Sequence, residues 1–415
     1  MIGLADCNNF FVSCERTLNP ALENRAVVVL SNNDGCVVAR SNEAKRAGIK
    51  MGQPAFQIKD LIQSGEIIAL SGNHLLYREI SLRVHDIFRR YAPLTLDYSV
   101  DEAFLIMDGI PDSQLKAIGE AIAANCWDEL HIPVTIGFAP SKTLAKIVSE
   151  SCKKRGKRVG VLFDPNAAYP IMQKMSISAL WGIGRSLSQR RSTSGIFTIA
   201  DFANKDLGWI RATLGINGER SWRELHGEHC IELSHVQMQL QDSVSESRTF
   251  PEDIDDYDYI RARIAIYAAD CSKKLRAMGG ACQILGVMLQ TNRFHLERGS
   301  AHPKGSVKFV EPTSDTVLIC NAAISILDKI FIPNIPFKRA GVWLGDIVPA
   351  CSILPSLFDS HDAIMGKTTR AHLMKAVDRI NIGPGMPVLK LASQFTQGHP
   401  GHNDGYSSTF QAPKK

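Results

Sequence analysis

Short apolar runs lead into acidic side chains at two places in the chain. Residues 2–5 form an apolar run typical of a buried strand, and Asp6 follows it directly. Between residues 94 and 106, apolar side chains alternate with shorter or polar ones on either side of Asp101 and Glu102. This pattern predicts a strand, a tight turn that holds the acidic pair, and a second strand. If the first strand lies beside this hairpin, three carboxylates meet.

The surrounding pattern predicts an α+β domain with helices on one face of a sheet. Helices are predicted over residues 75–91, 113–130 and 141–152, and strands over residues 134–138 and 159–163. Ser141 suits the N-cap of the third helix. Residues 11–73 interrupt this domain. They predict strands at 26–30 and 36–39, a turn at 32–35, and a helix at 42–47 that ends at Gly48.

A second α+β set begins after residue 243. The predicted order is strand 244–250, helix 257–278, strand 283–291, strand 306–310, helix 314–330 and strand 339–347. This βαββαβ succession predicts a second sheet domain, and the residues between the two sheet domains predict a small helical region.

Composition narrows the classes of protein to consider. A chain of 415 residues with 45% hydrophobic residues suits about two to four domains. No apolar run approaches the roughly 20 residues that cross a bilayer, and the N-terminus lacks a signal peptide, so we expect no membrane partner and a cytoplasmic location. The ten cysteines include no C-x-x-C pair, which argues against structural zinc. The net charge of +5 is only a mild indication of an anionic partner.

The carboxylates of Asp6, Asp101 and Glu102 predict a metal site. Crowded carboxylates are costly unless a hard cation neutralises them, and Mg²⁺ prefers a few carboxylates together with water and phosphate oxygens. Such a site suits phosphoryl or nucleotidyl transfer. Taken alone, an Asp-Glu pair in a turn is more often simply solvated, so the interpretation depends on the surrounding sequence.

Three stretches of sequence carry a resemblance to a known family. Residues 6–11 (DCNNFF), 31–37 (SNNDGCV) and 99–104 (SVDEAF) resemble the Y-family DNA polymerases, and most of all the UmuC branch of that family. The resemblance extends in order over residues 1–390. It implies a right-hand polymerase with a ferredoxin-like palm (1–10 and 74–164), small fingers (11–73), a helix-hairpin-helix thumb (165–240), a βαββαβ little finger (243–348) and a UmuC-type C-terminal extension (349–415).

The resemblance implies a template-directed DNA polymerase that performs low-fidelity translesion synthesis in the SOS response to DNA damage. Asp6 and Asp101 would bridge two Mg²⁺ ions, with Glu102 at the primer end and the carbonyl of Cys7 as a further ligand. The implied substrates are primer-template DNA and deoxynucleoside triphosphates (dNTPs). The implied protein partners are a UmuD-like dimer and RecA.

The resemblance also implies where the nucleotide binds. Phe11 occupies the steric-gate position, where an aromatic ring excludes a 2′-hydroxyl, although a core aromatic is the alternative. Asn42 and Lys45 stand where many members of the family have a Tyr-x-x-Arg phosphate clamp, so a point-charge lysine replaces a planar fork. Lys153 is implied to reach the incoming triphosphate, with a solvated basic surface as the alternative.

Basic and glycine-containing segments are candidates for contact with the DNA backbone. Lys142 and Lys146 share one helical face with Lys153. Residues 180–185 (LWGIGR) look like a helix-hairpin-helix, in which Gly182 and Gly184 let backbone N–H groups approach a phosphate next to Arg185. In the second sheet domain the candidates are Arg248, Arg293, Lys304 and Lys308, for each of which an ordinary surface position is an equal alternative.

The C-terminal extension gives weaker indications. Residues 354–358 (LPSLF) stand where UmuC proteins carry a Gln-Leu-x-Leu-Phe peptide that docks on the sliding clamp, and only Leu357 and Phe358 match. These two residues predict a sliding clamp as a further partner. From residue 397 the tail is rich in Gly, His, Asn, Ser and Pro, which predicts disorder.

Two other functions fit part of the sequence. A nucleotide cyclase or metal phosphodiesterase can carry similar carboxylates on a palm-like sheet, but it does not account for the second sheet domain. A catalytically silent DNA-binding accessory subunit does not account for three retained acids. We therefore expect a DNA polymerase.

Overall fold

A computed structural model describes residues 1–31, 35–183, 195–231, 240–292, 294, 300–353, 361–381 and 388–395. These residues form two compact units, one that extends to residue 231 and one that starts at residue 240. No helix in the described ranges is long and apolar enough to cross a membrane.

The regular elements are numbered in chain order. The strands are β1 (Ile2–Cys7), β2 (Val27–Leu30), β3 (Val37–Arg40), β4 (Ile68–Ser71), β5 (Leu94–Asp97), β6 (Glu102–Ile106), β7 (Val134–Ala139), β8 (Val159–Val161), β9 (Ser243–Ile254), β10 (Gly280–Thr291), β11 (Lys304–Thr313) and β12 (Phe337–Pro349). The α-helices are α1 (Phe10–Leu18), α2 (Asn42–Arg46), α3 (Lys59–Gln63), α4 (His74–Arg89), α5 (Leu115–Leu130), α6 (Lys142–Lys154), α7 (Tyr169–Met172), α8 (Ile199–Ala203), α9 (Leu207–Leu225), α10 (Tyr257–Ala277), α11 (Thr316–Ile330) and α12 (His361–Ile380).

Strand β1 lies at the centre of a five-stranded sheet with the order β5-β6-β1-β7-β8. It pairs antiparallel with β6 and β7, and β8 joins β7 in parallel. Leu4 packs on the side of α6, whereas Ala5 packs on the side of α4 and α5. Helices therefore cover both faces, and the prediction of helices on one face was wrong. The unbroken apolar run of residues 2–5 is typical of a strand buried on both sides.

Helix α6 lies close against β7 because the strand carries a glycine where the two cross. A Cβ on Gly137 would lie 2.5 Å from the carbonyl oxygen of Ala145 in α6. Ser141 caps this helix as predicted, since its hydroxyl accepts a hydrogen bond from the N–H of Leu144 at 3.3 Å. The position of α6 is thus fixed by backbone contact as well as by side chains.

A smaller sheet, with the order β3-β2-β4, is built from residues between β1 and α4. Its core includes Val28, Leu30 and Val37, which pack with Ala44 of α2. The predicted strands β2 and β3 and the predicted helix α2 are confirmed to within one residue. Helix α1 and strand β4, which pairs in parallel with β2, were not predicted.

A buried glutamate joins α6 to the helical segment that follows the large sheet. Glu224, near the end of α9, accepts hydrogen bonds from the N–H groups of Thr143 at 2.9 Å and of Cys230 and Ile231 at 3.1 Å each. The Ser141 hydroxyl donates to the carbonyl oxygen of Glu224 at 2.6 Å. The start of α6 and the end of α9 are therefore held by one residue.

Lys142 belongs to the same buried contact. It is only 1% exposed, and its Nζ lies 2.7 Å from Nε2 of His229 and 2.5 Å from the carbonyl oxygen of Ile231. The prediction that Lys142 contacts DNA was wrong, because burial against the segment after α9 keeps its ammonium group away from any phosphate.

The second unit is an antiparallel four-stranded sheet with the order β11-β10-β12-β9. Helices α10 and α11 cover one face and share a core with it. The predicted βαββαβ succession is confirmed. Helix α12 was not predicted. Arg276 of α10 holds it through a two-pronged ion pair with Asp378, at 2.7 and 2.8 Å.

Replacement of Glu224 by alanine should destabilise the first unit. Three backbone N–H groups, one of them buried and two partly buried, would lose their acceptor, and we expect the free energy of unfolding to fall by about 3 kcal/mol, measured by urea denaturation. The control is Glu228→Ala, since Glu228 is a half-exposed partner of Arg223 and its loss should cost less than about 0.5 kcal/mol. An unchanged unfolding midpoint for Glu224→Ala would contradict the structural role of this residue.

Candidate active site

The acidic residues lie where β1 ends and where β5 turns into β6. Asp6 stands directly opposite Glu102 in the antiparallel register. Opposite residues in such a pair project from the same face of a sheet. This face is the one that α6 covers, because Leu4, two residues before Asp6, packs there. Asp101 adjoins them, since its carbonyl oxygen accepts a hydrogen bond from the N–H of Cys7 at 2.9 Å.

Ser99 shapes the turn between β5 and β6. Its hydroxyl accepts hydrogen bonds from the N–H groups of Asp101 and Glu102, at 3.3 and 3.1 Å. The same hydroxyl donates to Oδ1 of Asp101 at 2.5 Å. The sequence motif contained Ser99, but its role in orienting the Asp101 carboxylate was not predicted.

Two lysines of α6 form ion pairs with the acids. Nζ of Lys153 lies 2.5 Å from Oδ1 of Asp6, and Nζ of Lys146 lies 2.8 and 3.0 Å from the two carboxylate oxygens of Glu102. These four side chains are only 14% to 32% exposed. Lys146 was predicted to contact DNA, whereas here its ammonium group binds a carboxylate. Helix α6 thus presents one cation to each of the two facing acids.

The Asp6 carboxylate lies in an environment that favours a bound cation. Burial, opposed by Lys153 and assisted by the nearby Glu102, raises the pKa of Asp6 to about 7. Carboxylate oxygens are among the ligands that Mg²⁺ prefers. The Cys7 thiol does not suit a metal, because burial raises its pKa and keeps it protonated. Only the carbonyl oxygen of Cys7 is a suitable donor.

The three carboxylates do not yet form a ligand cluster. Within the part of the chain that the structure describes, no group of three or more His, Cys, Asp or Glu side chains is close enough to hold a metal ion. Each acid has its own partner: Lys153 for Asp6, Ser99 for Asp101 and Lys146 for Glu102. The backbone of the predicted site is in place, but the side chains differ from the prediction because lysine ammonium groups neutralise two of the acids.

Near the same acids, two cations of the smaller sheet region, Arg40 and Lys45, lie close to Lys153 of α6. Lys45 on α2 donates to Oδ1 of Asn9 at 2.7 Å and to Oδ1 of Asn42 at 3.4 Å. Burial lowers the pKa of Lys45, and the charges of Arg40 and Lys153 lower it further. Three cations therefore share one neighbourhood, which favours a bound polyanion. Asn9 and Arg40 were not among the predicted site residues.

The ring of Phe11, near the start of α1, is held in place by its neighbours. It stacks on Tyr77 with centroids 4.3 Å apart and planes 14° apart, and it meets His74 edge-on at 5.9 Å. Tyr77 is itself fixed, because its buried hydroxyl donates to the Glu15 carboxylate at 2.7 Å. The aromatic stack therefore gives Phe11 a defined position.

The remaining predicted contacts differ in how far the structure describes them. Arg248 lies on the helix side of β9, because its cross-strand partner Ala340 is buried in the core, and it pairs with Glu246 at 3.3 Å. Gly182 has a φ of +83°, which glycine accommodates. Several predictions lie outside the described residues: Gly184, Arg185, Arg293, Leu357 and Phe358, most of the turn at 32–35, and the tail from 397.

Two sequence profiles match most of the chain. The profile of the impB/mucB/samB family matches residues 5–150, and that of the impB/mucB/samB family C-terminal domain matches residues 241–353. Protein UmuC of Salmonella typhimurium is 34% identical over 398 residues, which cover 95% of this chain and 93% of that protein. DNA polymerase IV of Bacillus velezensis is 28% identical over 345 residues, which cover 81% of this chain and 80% of that protein.

A solved structure shares the fold. The Y-family DNA polymerase chimera Dbh-Dpo4(243-245)-Dbh superposes with a TM-score of 0.66 and 21% sequence identity. The match covers 84% of this chain and 99% of that chain. This likeness confirms the predicted fold class.

Removal of Lys146 or Lys153 should strengthen metal binding by the free chain. Each lysine competes with a cation for a carboxylate, and an ion pair with this exposure is worth about 1 kcal/mol, or about fivefold in affinity. We expect Lys146→Met and Lys153→Met each to bind Mn²⁺ about fivefold more tightly in isothermal titration calorimetry.

The matched control for this experiment is Lys154→Met. Lys154 pairs with Glu150 on the exposed side of α6, so its loss should leave Mn²⁺ binding unchanged. Weaker Mn²⁺ binding by the Lys146 and Lys153 variants would contradict the competition and would indicate that these lysines hold the acids in place.

Proposed function

Because the chain belongs to the impB/mucB/samB family and is a UmuC-type Y-family DNA polymerase, we propose that Asp6, Asp101 and Glu102 are its catalytic metal ligands. The enzyme performs translesion synthesis and depends on a divalent metal ion. The observation that carries the proposal is the register that places Asp6 opposite Glu102 on the face covered by α6. Membership of this family argues against the cyclase, phosphodiesterase and silent-subunit alternatives.

We propose that the site would hold two Mg²⁺ ions. Asp6 and Asp101 would bridge them, Glu102 would hold the ion at the primer end, and the carbonyl oxygen of Cys7 would be a further ligand. When bound, the ions activate the primer 3′-hydroxyl and neutralise the pyrophosphate that leaves. The oxygen donors of Asp6, Asp101, Glu102 and the Cys7 carbonyl support this assignment.

Both lysines of α6 pair with acids in the free chain, and one of them, Lys153, is proposed to bind the substrate afterwards. Lys153 and Lys146 neutralise Asp6 and Glu102 in the free chain. Once released from Asp6, Lys153 joins Lys45 and its neighbour Asn42 at the triphosphate of the incoming dNTP. Positive charge is thus already in place where negative charge develops during transfer.

The proposed domains follow the three sheets and the helical segment. The five-stranded sheet, with residues 1–10 and 74–164, is the palm, and the smaller sheet lies in the fingers (11–73). The thumb (165–240) would bind the DNA backbone at Gly182, Gly184 and Arg185. The little finger (243–348) contains the four-stranded sheet and Arg248, and residues 349–415 form the C-terminal extension.

The partners follow from the activity and from the resemblance to the UmuC branch. The enzyme acts on DNA, and the proposed substrates are primer-template DNA and dNTPs. We extend the proposal to a UmuD-like dimer, to RecA, and to a sliding clamp that would bind residues 354–358 through Leu357 and Phe358. A cytoplasmic location accords with a DNA substrate.

Asp101→Ala should abolish primer extension. The proposed metal site would lose a bridging ligand, and we expect the extension rate on a primed template with Mg²⁺ to fall by about 1000-fold or more. Asp108→Ala is the control, because Asp108 is an exposed carboxylate just after β6 and its loss should leave the rate unchanged. Primer extension by Asp101→Ala at the rate of the unchanged chain would refute the metal assignment.

Phe11→Ala should admit ribonucleotides. Without the ring stacked on Tyr77, a 2′-hydroxyl would no longer meet an apolar surface, and discrimination between dCTP and CTP should fall by about 100-fold. Single-nucleotide insertion measures this as a ratio of kcat/KM values. Phe11→Tyr keeps the ring and should keep the discrimination. If Phe11→Ala discriminates as well as the unchanged chain, Phe11 is only a core aromatic.

A further inference from the structure

Three aromatic rings pack together beside the acidic turn. Tyr98 lies at the start of the turn, Phe104 lies on β6 two residues after Glu102, and Trp181 comes from the segment that follows the large sheet. The ring centroids are 5.5 Å apart for Tyr98 and Phe104, 5.5 Å apart for Tyr98 and Trp181, and 5.6 Å apart for Phe104 and Trp181. Phe104 is fully buried and anchors the group, whereas Tyr98 remains 38% exposed.

The Tyr98 ring is held in place by the other two rings. Its contacts with Phe104 and Trp181 are edge-on, with interplanar angles of 64° and 86°, which is a favoured geometry for aromatic pairs. The indole N–H of Trp181 also donates to the Tyr98 hydroxyl at 2.8 Å. The ring therefore cannot swing away without losing both a hydrogen bond and aromatic packing.

The fixed ring lies next to the lysine that neutralises Glu102. Nζ of Lys146 lies 5.3 Å from the centroid of the Tyr98 ring, which is within the range of a cation–π contact. The same ammonium group binds both carboxylate oxygens of Glu102, at 2.8 and 3.0 Å. The Lys146 side chain is only 32% exposed, and partial shielding from water strengthens a cation–π contact. The ring thus adds to the stability of the state in which Lys146 neutralises Glu102.

We propose that Tyr98 is a positioning residue that controls the access of a metal ion to Glu102. The Tyr98 ring holds the Lys146 ammonium group on the carboxylate, and Trp181 holds the ring. A metal ion at Glu102 has to displace the ammonium group from both of its partners, because like charges repel each other at this distance. This inference rests on the proposed role of Glu102 as a metal ligand and adds the residues that regulate that ligand.

Isothermal titration calorimetry of the full chain with Mn²⁺, without DNA or dNTP, tests the proposal. Tyr98→Leu removes the ring and should bind Mn²⁺ about threefold more tightly, which is the size expected for the loss of one cation–π contact. Tyr98→Phe keeps the ring face and should bind closer to the unchanged chain than Tyr98→Leu does. A residue that only supports the fold would not act in this direction, because its loss would weaken Mn²⁺ binding or leave it unchanged.

Combined variants show whether the effect passes through Lys146. In Lys146→Met the ammonium group is already absent, so addition of Tyr98→Leu should cause no further change in Mn²⁺ affinity. In Lys153→Met the ammonium group of Lys146 remains on Glu102, so addition of Tyr98→Leu should again tighten binding about threefold. Non-additivity with one lysine and additivity with the other distinguish a direct contact from a general change in the site.

Two further variants test the contact with Trp181. Trp181→Phe removes the N–H donor, so it should tighten Mn²⁺ binding in the same direction and should add nothing to Tyr98→Leu. The matched control is Tyr169→Leu on α7. Tyr169 is 37% exposed, and its hydroxyl accepts a hydrogen bond from Nδ2 of Asn204 at 2.8 Å, so it resembles Tyr98 in exposure and in hydrogen bonding. Its loss should leave Mn²⁺ binding unchanged.

Mn²⁺ binding by Tyr98→Leu that is equal to or weaker than that of the unchanged chain would overturn the proposal. An equal gain with and without Lys146 would overturn it as well, and unchanged binding by Trp181→Phe would refute the part assigned to Trp181. If Tyr98→Leu does not fold, Trp181→Phe with and without Lys146 provides the second comparison. Primer extension by Asp101→Ala tests the metal ligands separately, so a failure of the Tyr98 proposal is distinguishable from a failure of the catalytic proposal.

Discussion

The crowding of negative charge at the end of β1 constrains everything around it. Asp6 and Glu102 project from one face of adjacent strands, so the element that covers this face has to supply positive charge. Helix α6 supplies it from Lys146 and Lys153, which are about two helical turns apart. Gly137 lets the helix approach the sheet closely. The spacing of the lysines along the helix is thus matched to the register of the strands.

Helix α6 and the acidic turn are both joined to the helical segment that follows the large sheet. At the start of α6, Glu224 of this helical segment accepts a hydrogen bond from the N–H of Thr143 in α6, and also one from the N–H of Cys230 within the segment. At the turn, the indole of Trp181 donates to the Tyr98 hydroxyl at 2.8 Å, and the Tyr98 ring lies 5.3 Å from Nζ of Lys146. Trp181 immediately precedes Gly182, a proposed DNA contact. A displacement of that segment would therefore reach the lysines and the acids through two separate contacts.

The features that could be predicted from the sequence are those whose interacting residues lie close together along the chain. The strands that carry Asp6 and Glu102 follow from local apolar patterns, and the acids at their ends point to the site. Helical periodicity correctly put Lys142 on α6, but its burial depends on Glu224 and the segment beyond it, more than 80 residues along the chain.

If Lys45 binds the triphosphate as proposed, it would hold the phosphates differently from an arginine. An arginine fork fixes two oxygens at once, whereas a lysine acts as a point charge. Arg40 does not restore the fork, because its Nη1 donates to the Ile49 carbonyl oxygen and its buried Nε finds no partner among the described residues. In the proposed site, Arg40, Lys45 and Lys153 would therefore attract the triphosphate without dictating its orientation. Coulomb attraction falls gradually with displacement, whereas a bidentate hydrogen bond is lost with misalignment. A nucleotide displaced by a damaged template base would thus lose little binding energy, which is a physical basis for translesion synthesis.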